Sequence, residues 1–98
     1  MPGGVSGGHV KPDASWSREP RPDFPERASE RGVTTGSVEL LCTSQSNGTP
    51  TNCSVVFELP SGVGFGEAAL RSMRSARFSP ATVDAGGSHR FTVSFGED

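Results

Sequence analysis

Gly36-Ser37-Val38-Glu39-Leu40-Leu41-Cys42-Thr43 and Cys53-Ser54-Val55-Val56-Phe57-Glu58-Leu59, with Asn47-Gly48 between them, decide how this chain folds. The first run alternates, with Val38, Leu40 and Cys42 on one face, as a half-buried strand does. The second run places Cys53, Val55 and Phe57 on one face. Asn-Gly between two such runs is the strongest short hairpin signal. A two-residue turn centred on Asn47-Gly48 pairs Val38 with Phe57, Leu40 with Val55 and Cys42 with Cys53, all on the same face. A slip of one residue would put the two apolar rows on opposite faces, so turn and pattern agree on one register. Pro50, near the turn, is tolerated only where the ladder does not need its missing N–H.

That register sets the two cysteines opposite each other. Residues facing across an antiparallel pair have Cα atoms about 5.5 Å apart or less, which is within disulfide reach. A disulfide here would add roughly 2–3 kcal/mol and would favour an oxidising compartment. The alternative is two reduced cysteines packed as small apolar residues.

Beyond the hairpin, residues 66–77 predict a helix. Ala69, Leu70, Met73 and Ala76 keep helical spacing, Phe65 sits one turn earlier, and Glu67 precedes Arg71, Arg74 and Arg77, as the helix dipole favours. Phe78-Ser79-Pro80 ends it. Residues 89–95, His-Arg-Phe-Thr-Val-Ser-Phe, alternate as a third strand, with Phe91, Val93 and Phe95 on one face. Before the hairpin, Pro25 to Gly32 reads as a short helix with Pro and Glu at its start and Gly at its end. Phe24 anchors its approach.

The order is helix, strand, strand, helix, strand. A right-handed crossover makes strands two and three parallel. Strand one fits between them, giving an α+β fold whose three-stranded sheet has the order 2-1-3, with both helices on one face. Strand three is then an edge. Residues 1–22 read instead as a flexible tether rich in Pro and Gly, with few large apolar side chains to offset the entropy of ordering. Residues 1–8 read equally as a fusion scar. Mobility is expected over residues 1–20, and His9 and Trp16 receive no role. The domain proper is expected over 23–98, about 75 residues, a size that is often stapled.

Composition and motifs exclude several classes. The 98 residues carry a net charge near −2, unlike the basic face of a nucleic-acid binder. The arginines 71, 74 and 77 read as a solvated helix face or a surface for an acidic partner. Phe57, Phe91 and Phe95, the aromatics that an RNA-binding sheet would need for stacking, are expected in the core. No run of about 18 apolar residues predicts a membrane span, and the N-terminus has no signal peptide. The protein is therefore either cytosolic or exported by a signal outside these residues, and the cysteines favour export. Catalytic groups are not assembled either. There is no Tyr, the two histidines are far apart, and no Ser sits in a Gly-x-Ser-x-Gly elbow. In Gly62-Val63-Gly64-Phe65-Gly66, Glu67 stands where a dinucleotide fingerprint needs its third glycine. Cys42, Cys53, His9 and His89 lack metal-ligand spacing. No enzyme activity, metal or cofactor is expected.

Five short strings in order resemble the C-terminal domain of TonB, the energy transducer. Arg21-Pro22-Asp23-Phe24-Pro25-Glu26-Arg27-Ala28 resembles that family's Pro-x-aromatic-Pro-x-x-Ala opening. Gly36-x-Val38 and Asn47-Gly48 resemble its first strand and turn. Ala68-Ala69-Leu70 with Ala76-Arg77-Phe78-Ser79-Pro80 is similar to its second helix and the Trp-Arg-aromatic-x-Pro ending, although Ala76 stands where the family has Trp. Val93-x-Phe95 resembles its last strand. The match covers residues 21–96.

The resemblance implies a periplasmic domain that grips the TonB box of outer-membrane receptors, driving uptake of iron chelates or similar cargo. The box would add as a strand to the last strand of the domain. It implies partner contacts at Arg21, Pro22, Asp23 and Phe24, and along His89, Arg90, Phe91, Thr92, Val93, Ser94 and Phe95. Arg21 and Arg90 are the candidates for charge selectivity. The family's membrane anchor and full Pro-rich spacer are missing, so inner-membrane anchoring and contact with ExbB and ExbD are expected only through a segment beyond this chain. The alternative is a stand-alone envelope adaptor of the same fold, which binds some other extended peptide or self-associates as a homodimer through the same edge, strand 89–95.

Overall fold

The computed structural model describes residues 9–10 and 14–96. Its elements are β1 (His9–Val10), β2 (Trp16–Arg18), α1 (Glu26–Glu30), β3 (Thr35–Ser44), β4 (Pro50–Leu59), α2 (Phe65–Ser72), β5 (Arg77–Phe78), α3 (Pro80–Ala85) and β6 (His89–Gly96). The main sheet has the order β1-β6-β3-β4, and β2 pairs with β5 in a separate two-stranded sheet. The three strands expected from the sequence, β3, β4 and β6, stand in the expected order, with β3 central. β3 is antiparallel to both neighbours, so β4 and β6 run in the same direction.

Alternation decides which face is covered. Val38, Leu40 and Cys42 of β3 and Phe91, Val93 and Phe95 of β6 are all buried, and Ala28 of α1 and Phe65, Ala68 and Ala69 of α2 join them in one core. Full burial of each Val, Leu or Phe side chain among them contributes about 1.5–3 kcal/mol. The Phe65 ring lies on the backbone of β3. A Cβ added to Gly36 would stand 2.5 Å from that ring, so this approach is open only to glycine.

The hairpin differs from expectation in register, and the difference has physical consequences. Its loop is not a two-residue turn. Gln45 N–H donates to Thr49 O at 2.9 Å and Gly48 N–H to Gln45 O at 2.8 Å, which encloses Ser46, Asn47 and Gly48. Gly48 adopts φ 90°, and Asn47 Oδ1 accepts from Thr49 N–H at 3.0 Å. β4 then bulges twice. Leu41 pairs with Ser54 but Thr43 with Thr51, so Asn52 and Cys53 together oppose Cys42. Asn52 takes the left-handed φ of 52° there. Leu40 pairs with Val55 as expected, but Glu39 pairs with Phe57, which leaves Val56 as the extra residue. An extra residue moves every following side chain to the other face. Phe57, expected opposite Val38 in the core, therefore lies on the helix-free face opposite Glu39, 54% exposed. Glu58 faces Val38 instead.

Cys42 and Cys53 form a disulfide, with Cα atoms 4.1 Å apart.

The helix expected over 66–77 begins one residue earlier, after Gly64 at φ 96°, and its α-helical part ends at Ser72. Beyond it the bonds tighten to the third residue back, Met73 to Leu70, Arg74 to Arg71 and Ser75 to Ser72. Ser72 Oγ donates to Ala69 O at 2.6 Å, a side-chain bond that competes with the helix ladder. A third helix, α3, was not expected. Ser79 caps it by accepting from Thr82 N–H, and Pro80 occupies its first turn. This is a start signal that residues 79–80 do carry.

The packed structure also reaches further toward the N-terminus than residue 23. Ala14, Pro20 and Pro22 are buried. Trp16 stacks on Phe78 at 4.6 Å between centroids and meets Phe91 edge-on at 5.0 Å. Ser15 is bound to α3: its N–H donates to Thr82 Oγ1 at 2.8 Å, its carbonyl accepts from Ser79 N–H at 2.9 Å, and its hydroxyl contacts that of Ser79. The tether expected over 1–22, mobile to residue 20, is thus packed from Ala14 onward. Its residues 1–8 and 11–13 lie outside those described.

Candidate functional site

A sheet offers a partner its edges, and this one has two of different character. β6 pairs with β3 through eight consecutive residues, from Thr35 with Gly96 to Cys42 with His89, without a shift. Alternation turns His89, Phe91, Val93 and Phe95 into the core and Arg90, Thr92 and Ser94 to the bare face. No bulge or proline interrupts it. On its outer side, β1 adds antiparallel, His9 opposite Ser94 and Val10 opposite Val93. The edge expected to be free is therefore covered at 93–94. Among the described residues no strand pairs with the outer side of 89–92.

The far edge, β4, is irregular. It starts at Pro50, bulges twice and is followed by Pro60. Bulges and prolines are the usual devices that blunt a strand edge against pairing. Several of its exposed side chains are nevertheless apolar: Val56, Phe57 and Leu59 are 43%, 54% and 57% exposed. Their appearance on the surface was not legible in the sequence, because it depends on the bulge at Val56.

The residues expected to contact a partner are distributed as follows. Phe24 meets Phe65 edge-on at 5.4 Å and Phe95 at 6.4 Å, which ties the 21–24 segment to the C-terminal end of β6. Pro22 is buried, while Arg21 and Asp23 are exposed and share a shallow cleft with Arg71, Ser72 and Ser75 of the α2 region. His89 is buried, its Nε2 3.3 Å from Ser44 Oγ and its ring 5.0 Å from Phe78, so its side chain serves the core. Arg90 lies on the bare face, 3.3 Å from Glu39. Arg21 stands beside α2, which packs on the opposite face. The two arginines are not brought together.

Among the described residues no cluster of three metal-ligating side chains occurs, and no helix is long and apolar enough to cross a membrane. The Gly62–Gly66 stretch forms the start of α2. Gly62 and Gly64 line a depression with Arg27, Glu58 and Glu67, of which Arg27 and Glu67 are bridged at 2.9 Å.

The sequence matches the family described as the Gram-negative bacterial TonB protein C-terminal over residues 20–96. The chain belongs to this family. The solution NMR structure of the Pseudomonas aeruginosa TonB C-terminal domain is similar to it, with a TM-score of 0.59 at 28% identity, covering 90% of this chain and 88% of that one. No curated protein sequence matches the chain. TonB C-terminal domains are periplasmic, non-enzymatic interaction domains, and this chain shares their α+β fold.

Proposed function

We propose that this TonB C-terminal domain grips an extended peptide, the TonB box of an outer-membrane receptor, by β-augmentation along β6. The grip would serve an energy transducer that drives uptake of iron chelates or similar cargo. The observation that supports this most is that β6 has an unbroken register and already accepts an extended segment, β1, on its outer side. A strand that binds one extended backbone offers the same donors and acceptors to another. Main-chain bonds then supply affinity with tolerance of sequence, and the segment Arg21–Phe24, held to Phe95 through Phe24, borders the C-terminal end of the groove. Anchoring to the inner membrane and coupling to ExbB and ExbD would come from a segment outside this chain.

The test is an NMR titration of the chain with a TonB-box peptide. Amide shifts along 89–96 are expected. Shifts confined to 50–59 would overturn the reading.

The exposed Val56, Phe57 and Leu59 favour a second reading, a stand-alone adaptor that self-associates through β4. Sedimentation as a monomer up to millimolar concentration would remove it.

A further inference from the structure

The pairing of β1 with β6 sets two residues of the chain on the edge where a peptide would bind. Among the described residues these are His9 and Val10, opposite Ser94 and Val93. A ladder of two pairs is weak on its own. It is strengthened by where it is attached. Ser15, five residues after Val10 in sequence, is fixed to α3 through Ser79 and Thr82, and Trp16 is packed against Phe78 and Phe91. A segment held this close to its docking site rebinds at an effective concentration in the millimolar range. An incoming peptide at micromolar concentration must compete with that.

We infer that the His9–Val10 strand is a built-in competitor of the peptide on β6, so that binding a partner requires the chain to release its own N-terminal strand. The inference rests on the reading of β6 as the peptide-binding edge. Its position makes the competition direct. β1 covers 93–94, inside the 89–95 stretch where the peptide would pair. A peptide that pairs along 89–95 must therefore displace β1 at 93–94, one backbone pair exchanged for another. The device sets a threshold, since short or weakly pairing segments gain too little from β6 to remove the chain's own strand.

The test uses the full chain and a variant carrying His9→Pro and Val10→Pro together. Proline removes the N–H and fixes φ, so neither position can donate to the ladder, and both lie outside the packed residues 14–96. Each protein is titrated with the same seven-residue TonB-box peptide and followed by amide shifts. Apparent affinity scales with the fraction of competent molecules, so release should lower Kd, by about fivefold for an edge covered about four-fifths of the time, and equal values would mean that it is not covered. In the unsubstituted chain the amides of His9 and Val10 should also shift as peptide is added. In the variant, the outward-facing amide among 93–94 should exchange faster with solvent before any peptide is added. Equal Kd values with shifts along 89–96 in both proteins would overturn the competitor and leave the edge reading standing. Shifts limited to 89–92 with His9 and Val10 unmoved would do the same. No shift on β6 in either protein would overturn both.

Discussion

The main chain of Gly48, in the hairpin loop, is bonded to that of Phe78: the Gly48 carbonyl accepts the Phe78 N–H at 2.8 Å. The approach is so close that a Cβ on Gly48 would stand 2.6 Å from Phe78 O. This bond ties the β3–β4 loop to β5, and so to the ring stack of Phe78 with Trp16 and Phe91.

Gly48 is thus required twice, for its φ of 90° and for the contact. Gly48→Ala should destabilise the domain by about 2–4 kcal/mol, from left-handed strain plus overpacking against backbone. Urea unfolding monitors it. A loss under about 0.5 kcal/mol, the usual range for a surface change, would show that the loop does not dock as described.

Trp16 is the chain's only Trp, with no Tyr present, so intrinsic fluorescence reports on one site. Its emission should be blue-shifted in the native protein and move red on unfolding. Its Nε1 is buried without a hydrogen-bond partner among the described residues. Trp16→Phe should therefore cost no more than about 1 kcal/mol, since it also removes an unsatisfied donor. Trp16→Ala should cost about 3 kcal/mol through lost ring packing. Solvent-exposed emission in the native state would contradict the packing of this segment.

Cys42 and Cys53 should give no reactive thiol in the denatured, unreduced protein. Replacing both by Ser should lower stability by about 2–3 kcal/mol, the chain-entropy value for so short a loop. Free-thiol titration and urea unfolding check the two statements separately.

Phe57 and Phe91 should behave as opposites although each falls on the apolar row of its strand in sequence. Phe91→Ala removes a side chain 1% exposed and should cost about 3–5 kcal/mol. Phe57→Ser removes one that lies mostly in solvent and should change stability by no more than about 0.5 kcal/mol. Comparable losses would mean that Val56 is not bulged out and that Phe57 faces the core.

Peptide binding on β6 should depend on backbone rather than side chains. Thr92→Pro and Ser94→Pro should each abolish binding, since residues two apart in a strand direct their N–H groups to the same side and proline removes that donor from β6. The alanine variants at the same positions should bind within about twofold of the unsubstituted chain, because they keep the donor. Calorimetry with a TonB-box peptide separates the two pairs.

The sequence by itself determined the order of the three long strands in the sheet. Alternation in 36–43, 53–59 and 89–95 fixes the strands, and chain direction with a right-handed crossover leaves β3 as the only central position. The opposed cysteines and the family motifs are likewise local in sequence. What only the tertiary structure decided are the features that depend on contacts between distant residues. The bulges that expose Phe57 are placed by β4 fitting to β3 and to α2, where Glu58 closes on Gly66, and a run such as Cys53–Leu59 alternates equally well with or without them. Trp16 and Ser15 look like tether residues until Phe78, Ser79 and Thr82, more than sixty positions later, supply rings and hydroxyls. The partial covering of β6 follows from that anchoring. Two residues such as His9 and Val10 carry no periodicity to read, and they form a strand only because β6 presents a backbone with which to pair.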